Sequence, residues 1–317
     1  MYIVTGGMGF IGSNIVRKLN DNGIDDILVV DDAGGGDKFR NLSTLRIADY
    51  MDREEFRYRL ETGLFREKAE ALFHEGACAV TTERDAVYML DNNFTFSKLI
   101  FEYAVAGKVP LVYASSAAVY GSGKSFSESP ANEAPINIYG YSKLLFDQYV
   151  RKNIGRAESP VAGLRYFNVF GPGEFHKGAM ASMVYQCYLQ LKANDEIRLF
   201  EGTGGFGDGE QRRDFVFVED VVNINLYLAS AGDVKGIFNV GTGKSRSFND
   251  IAGKWISLMG GGNIRYIPVP ENIKGRYQSF TEADTSSLLR TGYLGGFTGL
   301  EEGIEKYYRF MEGKEDL

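Results

Sequence analysis

The sequence is poor in the side chains that build disulfide frameworks and metal sites. Cysteine and histidine occur twice each among 317 residues. Cys78 and Cys187 are too few for a disulfide scaffold and read as small buried hydrophobes. His74 and His176 stand in no metal-ligand spacing, so no metal site is expected. Long hydrophobic runs are missing as well: none approaches the roughly 20 residues that cross a bilayer. No signal-peptide pattern is visible, because Tyr2-Ile3-Val4 runs at once into Thr5-Gly6-Gly7. A cytoplasmic protein with no membrane partner is therefore expected. There is no basic excess. Thirty-five Lys and Arg face 42 Asp and Glu, a formal net charge of −7, which argues against a nucleic-acid partner. A small anionic ligand is not excluded, since local cations suffice to hold one.

What the chain does have is an ordinary globular composition, 44% hydrophobic and 24% charged. Its length is large for one core and predicts two lobes. The run Met1 to Val4 reads as a buried strand. Thr5-Gly6-Gly7-Met8-Gly9-Phe10-Ile11-Gly12 follows, with key glycines Gly6, Gly9 and Gly12. Ile11, Ile15, Val16 and Leu19 then recur at helical spacing, and Ile27 to Val30 reads as the next strand, ending at Asp31. Glycines let the backbone approach a pyrophosphate while the helix N-terminus faces its charge. The strand before, the helix after and the acid about 20 residues on are the context that a dinucleotide-binding turn requires.

Asp31 suits a ribose 2′-hydroxyl and favours NAD, and Asp32 adds a second negative charge. Lys38, after the Gly34-Gly35-Gly36 loop, and Arg53, after a strand-like stretch from Leu45 to Ala48, are cations able to hold a 2′-phosphate; either also reads as a solvated surface charge. Further α/β units follow. Ala71-Leu72-Phe73 reads as a strand, with the small residues after His74-Glu75 leaving room for a cofactor. Asp91 to Ala106 reads as a helix. Pro110 to Tyr113 reads as a strand leading into Ser115-Ser116, where open parallel sheets place their ligands. Either hydroxyl is a candidate partner for a substrate oxygen, or a plain turn cap.

Tyr139-Gly140-Tyr141-Ser142-Lys143 sets Tyr139 and Lys143 on one helix face. An ammonium beside a phenol favours the phenolate, so Lys143 is expected to bring the Tyr139 pKa down from about 10. After Gly171-Pro172-Gly173 the texture becomes less regularly α/β. Ala181 to Lys192 reads as a helix, and residues 201–211 form a glycine-rich stretch that is either a flexible surface loop or a flap over a nucleotide. Arg212-Arg213-Asp214 leads into a strand from Phe215 to Val218, and one of the two arginines is a candidate for a diphosphate. Ile237 to Gly241 reads as a strand returning to the first lobe.

The glycine turn, the Ser115-Ser116 strand end and Tyr139-x-x-x-Lys143 resemble the extended short-chain dehydrogenase/reductase superfamily, whose members act mostly on nucleotide sugars. Narrower stretches resemble the ADP-L-glycero-D-manno-heptose 6-epimerase family nearly end to end. These are His74-Glu75-Gly76-Ala77-Cys78 with Thr81-Thr82-Glu83, Asp91-Asn92-Asn93, Arg165 to Val169, His176-Lys177-Gly178 with Met180-Ala181-Ser182, and Gly275-Arg276-Tyr277-Gln278.

The resemblance implies an α/β fold: a Rossmann-type doubly wound parallel sheet with a smaller, mixed α/β substrate-binding lobe. Residues 1–168 would form the dinucleotide-binding domain, with about 213–242 and 277–290 returning to it. Residues 169–212, 243–276 and 291–317 would form the second lobe. It implies an isomerase of lipopolysaccharide biosynthesis that inverts C6″ of an ADP-heptose, holding NADP (NAD being possible) with no net consumption of reductant, and a homo-oligomer, a pentamer. Cofactor contacts are implied at Gly6, Gly9, Phe10, Ile11, Gly12, Asp31, Asp32, Lys38, Arg53, Glu75, Gly76, Ala77, Cys78, Ala79, Asn92, Lys143 and Val169. Substrate contacts are implied at Ser116, Asn168, Ala179, Gln186, Phe200, Glu201, Gly202, Thr203, Arg213 and Tyr277. Tyr139 and Lys177 match the acid/base positions, with Lys143 and Ser116 beside Tyr139.

Four positions depart from the pattern: Asp32 for Asn, Arg53 for Lys, Ala179 for Ser and Gln186 for His. The alternatives are another nucleotide-sugar 4-epimerase or reductase, or a non-catalytic dinucleotide-sensing protein. Ser116-Ala117-Ala118 lacks the Asp-Glu pair that a 4,6-dehydratase needs for elimination.

Overall fold

The computed structural model describes residues 1–34, 36–271 and 277–314. The first half alternates strand and helix. In order come β1 (Tyr2–Thr5), α1 (Phe10–Asp21), β2 (Ile27–Asp31), β3 (Asp49–Asp52), α2 (Arg53–Glu61) and β4 (Ala71–His74). After them come α3 (Ala86–Leu90), α4 (Phe96–Gly107), β5 (Leu111–Ser116), α5 (Ile138–Asn153), β6 (Val161–Tyr166) and β7 (Asn168–Phe170). Then follow α6 (Met183–Asn194), β8 (Glu196–Phe200), β9 (Arg212–Phe217), α7 (Val218–Ser230), β10 (Lys235–Val240), β11 (Ser245–Ser247) and α8 (Phe248–Met259). The last elements are β12 (Asn263–Ile267), α9 (Ser286–Leu289) and α10 (Leu300–Met311).

Seven strands form one parallel sheet in the order β10-β6-β5-β4-β1-β2-β3. Successive strand residues point to opposite faces, and here both faces are apolar. Val4, Val29, Phe73 and Leu164 pack beneath Ile15, Val16 and Leu19 of α1 and Val221, Ile224 and Leu228 of α7. Ile3, Leu28, Leu72 and Leu111 pack under Phe56, Ile100, Phe101 and Phe146 from α2, α4 and α5. That double cover is why these strands read as apolar runs without alternation. A second core gathers Phe170, Phe215, Phe217, Trp255 and Tyr307 among α6, α8 and α10. It lies against two small sheets, β11-β9-β7 and β12-β8.

The chain leaves β1 toward β2 and β3, then returns to place β4 on the other side of β1. This reversal opens a crevice at the carboxyl ends of β1 and β4, the usual ligand position in such sheets.

Two sequence readings differ from the structure. The stretch Leu45 to Ala48 is not the third strand, which is Asp49–Asp52. Leu45 and Ile47 pack against the core from a loop, whereas the edge strand buries only Met51 and so carries no apolar signature. The helix expected from Asp91 begins as a π-helical turn over Asp91–Thr95 before α4, an irregularity that frequently marks functional positions.

Candidate active site

The glycine turn closes on itself through the Gly9 amide and the Gly6 carbonyl at 2.9 Å. Gly6 has φ +66°, and a Cβ there would lie 2.6 Å from the Gly76 amide nitrogen, so the ends of β1 and β4 meet backbone to backbone. The resulting crevice, of about 130 Å³, is lined by Gly6, Asp31, Asp32, Lys38, Arg53, Gly76, Ala77, Cys78 and Asn92. Thr5, Val30, Tyr88 and Phe96 complete its wall. These four were not singled out in the sequence; Tyr88 and Phe96 lie on helices whose apolar residues gave no sign of facing a ligand. Asp31 accepts a hydrogen bond from the Met8 amide at 2.8 Å and pairs with the Lys38 ammonium. Arg53 reaches Asn92 and, at 2.6 Å, Glu54. Its Nε is buried without a hydrogen-bond partner.

A glycine turn tight enough for phosphate, an acid at the end of β2 and an arginine in the crevice wall fit a nicotinamide dinucleotide. Phe10 and Gly12 are buried and Ile11 half-buried at the start of α1. Ala79 is exposed. The Cys78 amide donates to Asn93 Oδ1 at 2.8 Å, which the π-turn directs inward.

Helix α5 carries the Tyr139–Lys143 pair. Asn137 caps it by accepting from the Gly140 amide at 2.7 Å. A Cβ on Gly140 would stand 2.7 Å from the Ala118 carbonyl oxygen, so the helix start presses directly on the segment after β5. One turn beyond Lys143, the fully buried Asp147 accepts from Arg165 Nε at 2.9 Å, Ser115 Oγ at 3.0 Å and Tyr113 Oη at 3.1 Å. These bonds fix α5 against β5 and β6, and they leave Ser115 structural. Ser116 acts on Tyr139 in the direction that favours the phenolate. The Ser116 hydroxyl also accepts from the Ala118 amide at 3.1 Å, so the capping reading and the site reading hold together.

The expected pairing of Lys143 with the phenolate is not what governs Tyr139. Burial pushes the Tyr139 pKa up, and the opposing influence is Ser116. Lys143 instead donates to the Ala114 carbonyl at 2.8 Å, and burial lowers its pKa to about 8 against the pull of Glu75. Desolvation disfavours the charged form of each group, and the Lys143 ammonium is engaged by the Ala114 carbonyl rather than by the phenol.

Glu75, at the end of β4, is pushed up to about 7 by burial, against the Tyr166 hydroxyl at 2.8 Å and the Lys143 charge. Asn225 Nδ2 in turn donates to Tyr166 Oη at 2.9 Å. Beneath them His74 is neutral, its pKa lowered to about 3 by burial. Ser97 donates to the Asn93 carbonyl, so His74 donates from Nε2 to Ser97 at 2.8 Å. Its Nδ1 accepts from Thr5 at 2.6 Å.

Lys177 belongs to the 3-10 segment Phe175–Met180. Its ammonium lies 5.2 Å from the centre of the Phe10 ring, at the start of α1. Burial lowers its pKa, opposed by Glu174. On the far side, Asn168 is exposed and Val169 half-buried on β7. Phe200 ends β8, and the loop Glu201-Gly202-Thr203 follows. The Phe200 ring meets Tyr277 edge-on at 5.4 Å. Arg213 lies 5.2 Å from the Tyr277 ring and 5.7 Å from that of Phe248. It has no carboxylate partner among the described residues, while Arg212 is bonded to the Ser245 carbonyl at 2.5 Å. The buried, unpaired cation is therefore Arg213.

Ala179 is exposed, and Gln186 donates to the Gly178 carbonyl at 2.7 Å beside Lys177. The 201–211 stretch folds back on itself. Gly202 donates to Asp208 at 2.7 Å, Gln211 donates to the Glu201 carbonyl at 2.7 Å, and Phe206 stacks on Phe280. Gly275 and Arg276 of the Gly-Arg-Tyr-Gln motif, and Gly35, lie outside the described residues.

Residues 2–241 match the NAD dependent epimerase/dehydratase family. An ADP-L-glycero-D-manno-heptose-6-epimerase of Alkalilimnicola ehrlichii is 50% identical over 307 residues, 97% of this chain and 96% of the relative. The chain belongs to the ADP-L-glycero-D-manno-heptose 6-epimerase family. It is accordingly an enzyme of the isomerase class. The crystal structure of the Helicobacter pylori ADP-L-glycero-D-manno-heptose-6-epimerase superimposes with a TM-score of 0.86 at 32% identity, covering 98% of this chain and 96% of that one. A Thermus thermophilus UDP-glucose 4-epimerase in complex with NAD gives a TM-score of 0.81 at 25% identity, covering 99% of each chain. No described helix is long and apolar enough to cross a membrane.

Proposed function

We propose that this enzyme inverts C6″ of ADP-D-glycero-D-manno-heptose, giving the L-glycero epimer by oxidation to a 6″-ketone and re-reduction on the opposite face. The name of the relative that is half identical over nearly the whole chain supports the substrate. What supports the mechanism is a pair of separately held side chains, each able to move a proton. Tyr139 stands at Ser116 on the β5 side, and Lys177 stands above Phe10 at the glycine turn. A ketone presents opposite faces in the two half-reactions, so two groups are needed. When bound, the dinucleotide supplies the hydride acceptor and donor. Tyr139 and Lys177 move the hydroxyl proton; burial lowers the Lys177 pKa, whereas at Tyr139 Ser116 works against burial, and Ser116 also fixes the substrate oxygen. Arg213 pairs with the diphosphate, walled by Tyr277 and Phe248.

For the dinucleotide we propose NADP. Lys38 already neutralises Asp31, and Arg53 adds a second cation to the crevice wall to meet a 2′-phosphate. Asp32 opposes that preference. A cytoplasmic setting and a homo-oligomer, a pentamer, are carried with the family resemblance, and sedimentation tests the latter.

The deciding experiment follows the epimer ratio of purified protein with ADP-D-glycero-D-manno-heptose, and reads its co-purifying dinucleotide by mass spectrometry. Tyr139→Phe and Lys177→Met should each lose turnover. Normal turnover by both variants would sink the acid/base assignment. An unchanged epimer ratio with dinucleotide bound would favour a sensor, and conversion of a UDP-sugar alone would favour a 4-epimerase.

A further inference from the structure

The segment that bears Lys177 is held in place by side-chain hydrogen bonds made to its backbone and to Ser182, not to the Lys177 ammonium. The segment from Gly171 to Ser182 crosses from β7 to α6. Two asparagines of the first lobe donate to consecutive carbonyls in it. Asn14, on α1, reaches the Pro172 carbonyl at 2.8 Å while also bonding the Phe10 carbonyl at 2.8 Å. Asn41, only 6% exposed, reaches the Gly173 carbonyl at 3.0 Å while also bonding the Met8 carbonyl at 3.0 Å. Met8 and Phe10 belong to the dinucleotide turn itself. Each amide therefore spans the gap between the turn and the segment bearing Lys177.

Inside the segment, Glu174 is fully buried and acts as a brace. It accepts from the Gly171 amide at 3.2 Å, the Ser182 amide at 2.5 Å and the Ser182 hydroxyl at 2.8 Å, and the Lys177 amide donates to its carbonyl at 3.0 Å. The segment is thus a closed, internally stiff unit, and its seat on the first lobe includes two amide bridges.

We propose that Asn14 and Asn41 are positioning residues that lock the Lys177 segment to the dinucleotide turn, so that the second proton-transfer group is registered against the cofactor. The proposal rests on the reading of Lys177 as an acid/base group. Proton transfer tolerates little error in placement, and a shift near 1 Å can cost about 100-fold. A plain fold-stabilising role would lower stability and leave the turnover of the folded enzyme alone.

The test compares Asn14→Ala, Asn41→Ala and Lys177→Met with the unaltered enzyme at saturating dinucleotide. It reads kcat, KM and amide hydrogen exchange across residues 174–181. Asn14 is only partly buried, so its variant remains informative should Asn41→Ala fail to fold. We expect each asparagine variant to lose about 10-fold or more in kcat, with KM little changed and exchange in the segment faster. Faster exchange with unchanged kcat overturns the proposal, as does unchanged exchange, or a loss that excess dinucleotide restores. Full turnover by Lys177→Met instead overturns the underlying reading, whatever the asparagine variants do.

Discussion

Glu75 offers a quantitative check on the electrostatics of this site. Its carboxyl is raised by burial from 4.5 to about 7, so the folded state favours the protonated acid. Below pH 4.5 both folded and unfolded forms bind the proton, and the group costs nothing. Between 4.5 and 7 the unfolded chain releases the proton first, and stability falls as pH rises. At about 1.36 kcal/mol per pH unit the full difference is about 3 kcal/mol above pH 7. Glu75 keeps some solvent contact and its anion attracts Lys143, so the effect to expect is about 2 kcal/mol. Glu75→Gln removes the titration but keeps an oxygen to accept from Tyr166. Denaturant unfolding of the dinucleotide-free proteins from pH 4.5 to 8 should show equal stability at the acid end. The variant should be about 2 kcal/mol more stable at pH 8. A constant difference across the range, or a less stable variant at pH 8, would refute the reasoning and mean that Glu75 is an anion stabilised by Lys143.

Other perturbations have equally definite outcomes. Gly140→Ala drives a methyl into the Ala118 carbonyl and should cost about 1–3 kcal/mol of stability, with kcat falling because Tyr139 moves away from Ser116; thermal melts and steady-state assays check both. Arg213→Ala should raise the substrate KM by about 10- to 100-fold through loss of a charge-assisted bond, whereas Arg212→Ala should lower the melting temperature and leave KM alone. Asp32→Asn should tighten NADP by about 10-fold for the removal of one nearby negative charge, with NAD affinity moving less, as dinucleotide titration would show. Asp147→Asn unbalances the buried Arg165 and should cost about 3–5 kcal/mol, measured by denaturant unfolding.

The sequence disclosed those parts of the site that are local. The dinucleotide turn is eight consecutive residues between a strand and a helix, and Tyr139 and Lys143 share a helix face by spacing alone. Lys177 and Arg213 came with the family resemblance. What stayed hidden depends on distant partners. Nothing near Asp49 marks an edge strand, because only Met51 is buried there. Arg212 and Arg213 are adjacent and alike, and only Ser245 and Tyr277, far along the chain, tell them apart. The electrostatic misreading of Lys143 has the same origin. Spacing shows that two groups are neighbours, but the balance of burial and hydrogen bonding that sets their charge belongs to the packed core.

The two candidate proton-transfer groups share one structural logic on separate supports. Tyr139 is carried by a helix that Asp147 ties to β5 and β6 through Arg165, Ser115 and Tyr113. Lys177 is carried by a segment that Glu174 ties to Ser182. In each case a fully buried carboxylate holds the element, and the candidate acting side chain projects from it. The supports have no residue in common, so loosening one leaves the other in place. The glycine turn is where the Lys177 segment is seated. Gly6 meets the end of β4 beside Glu75, while the Met8 and Phe10 carbonyls accept from Asn41 and Asn14, which also reach the Lys177 segment. A binding turn conserving only phosphate contacts would have no use for those two amides. Here they make the turn the reference against which the Lys177 segment is set.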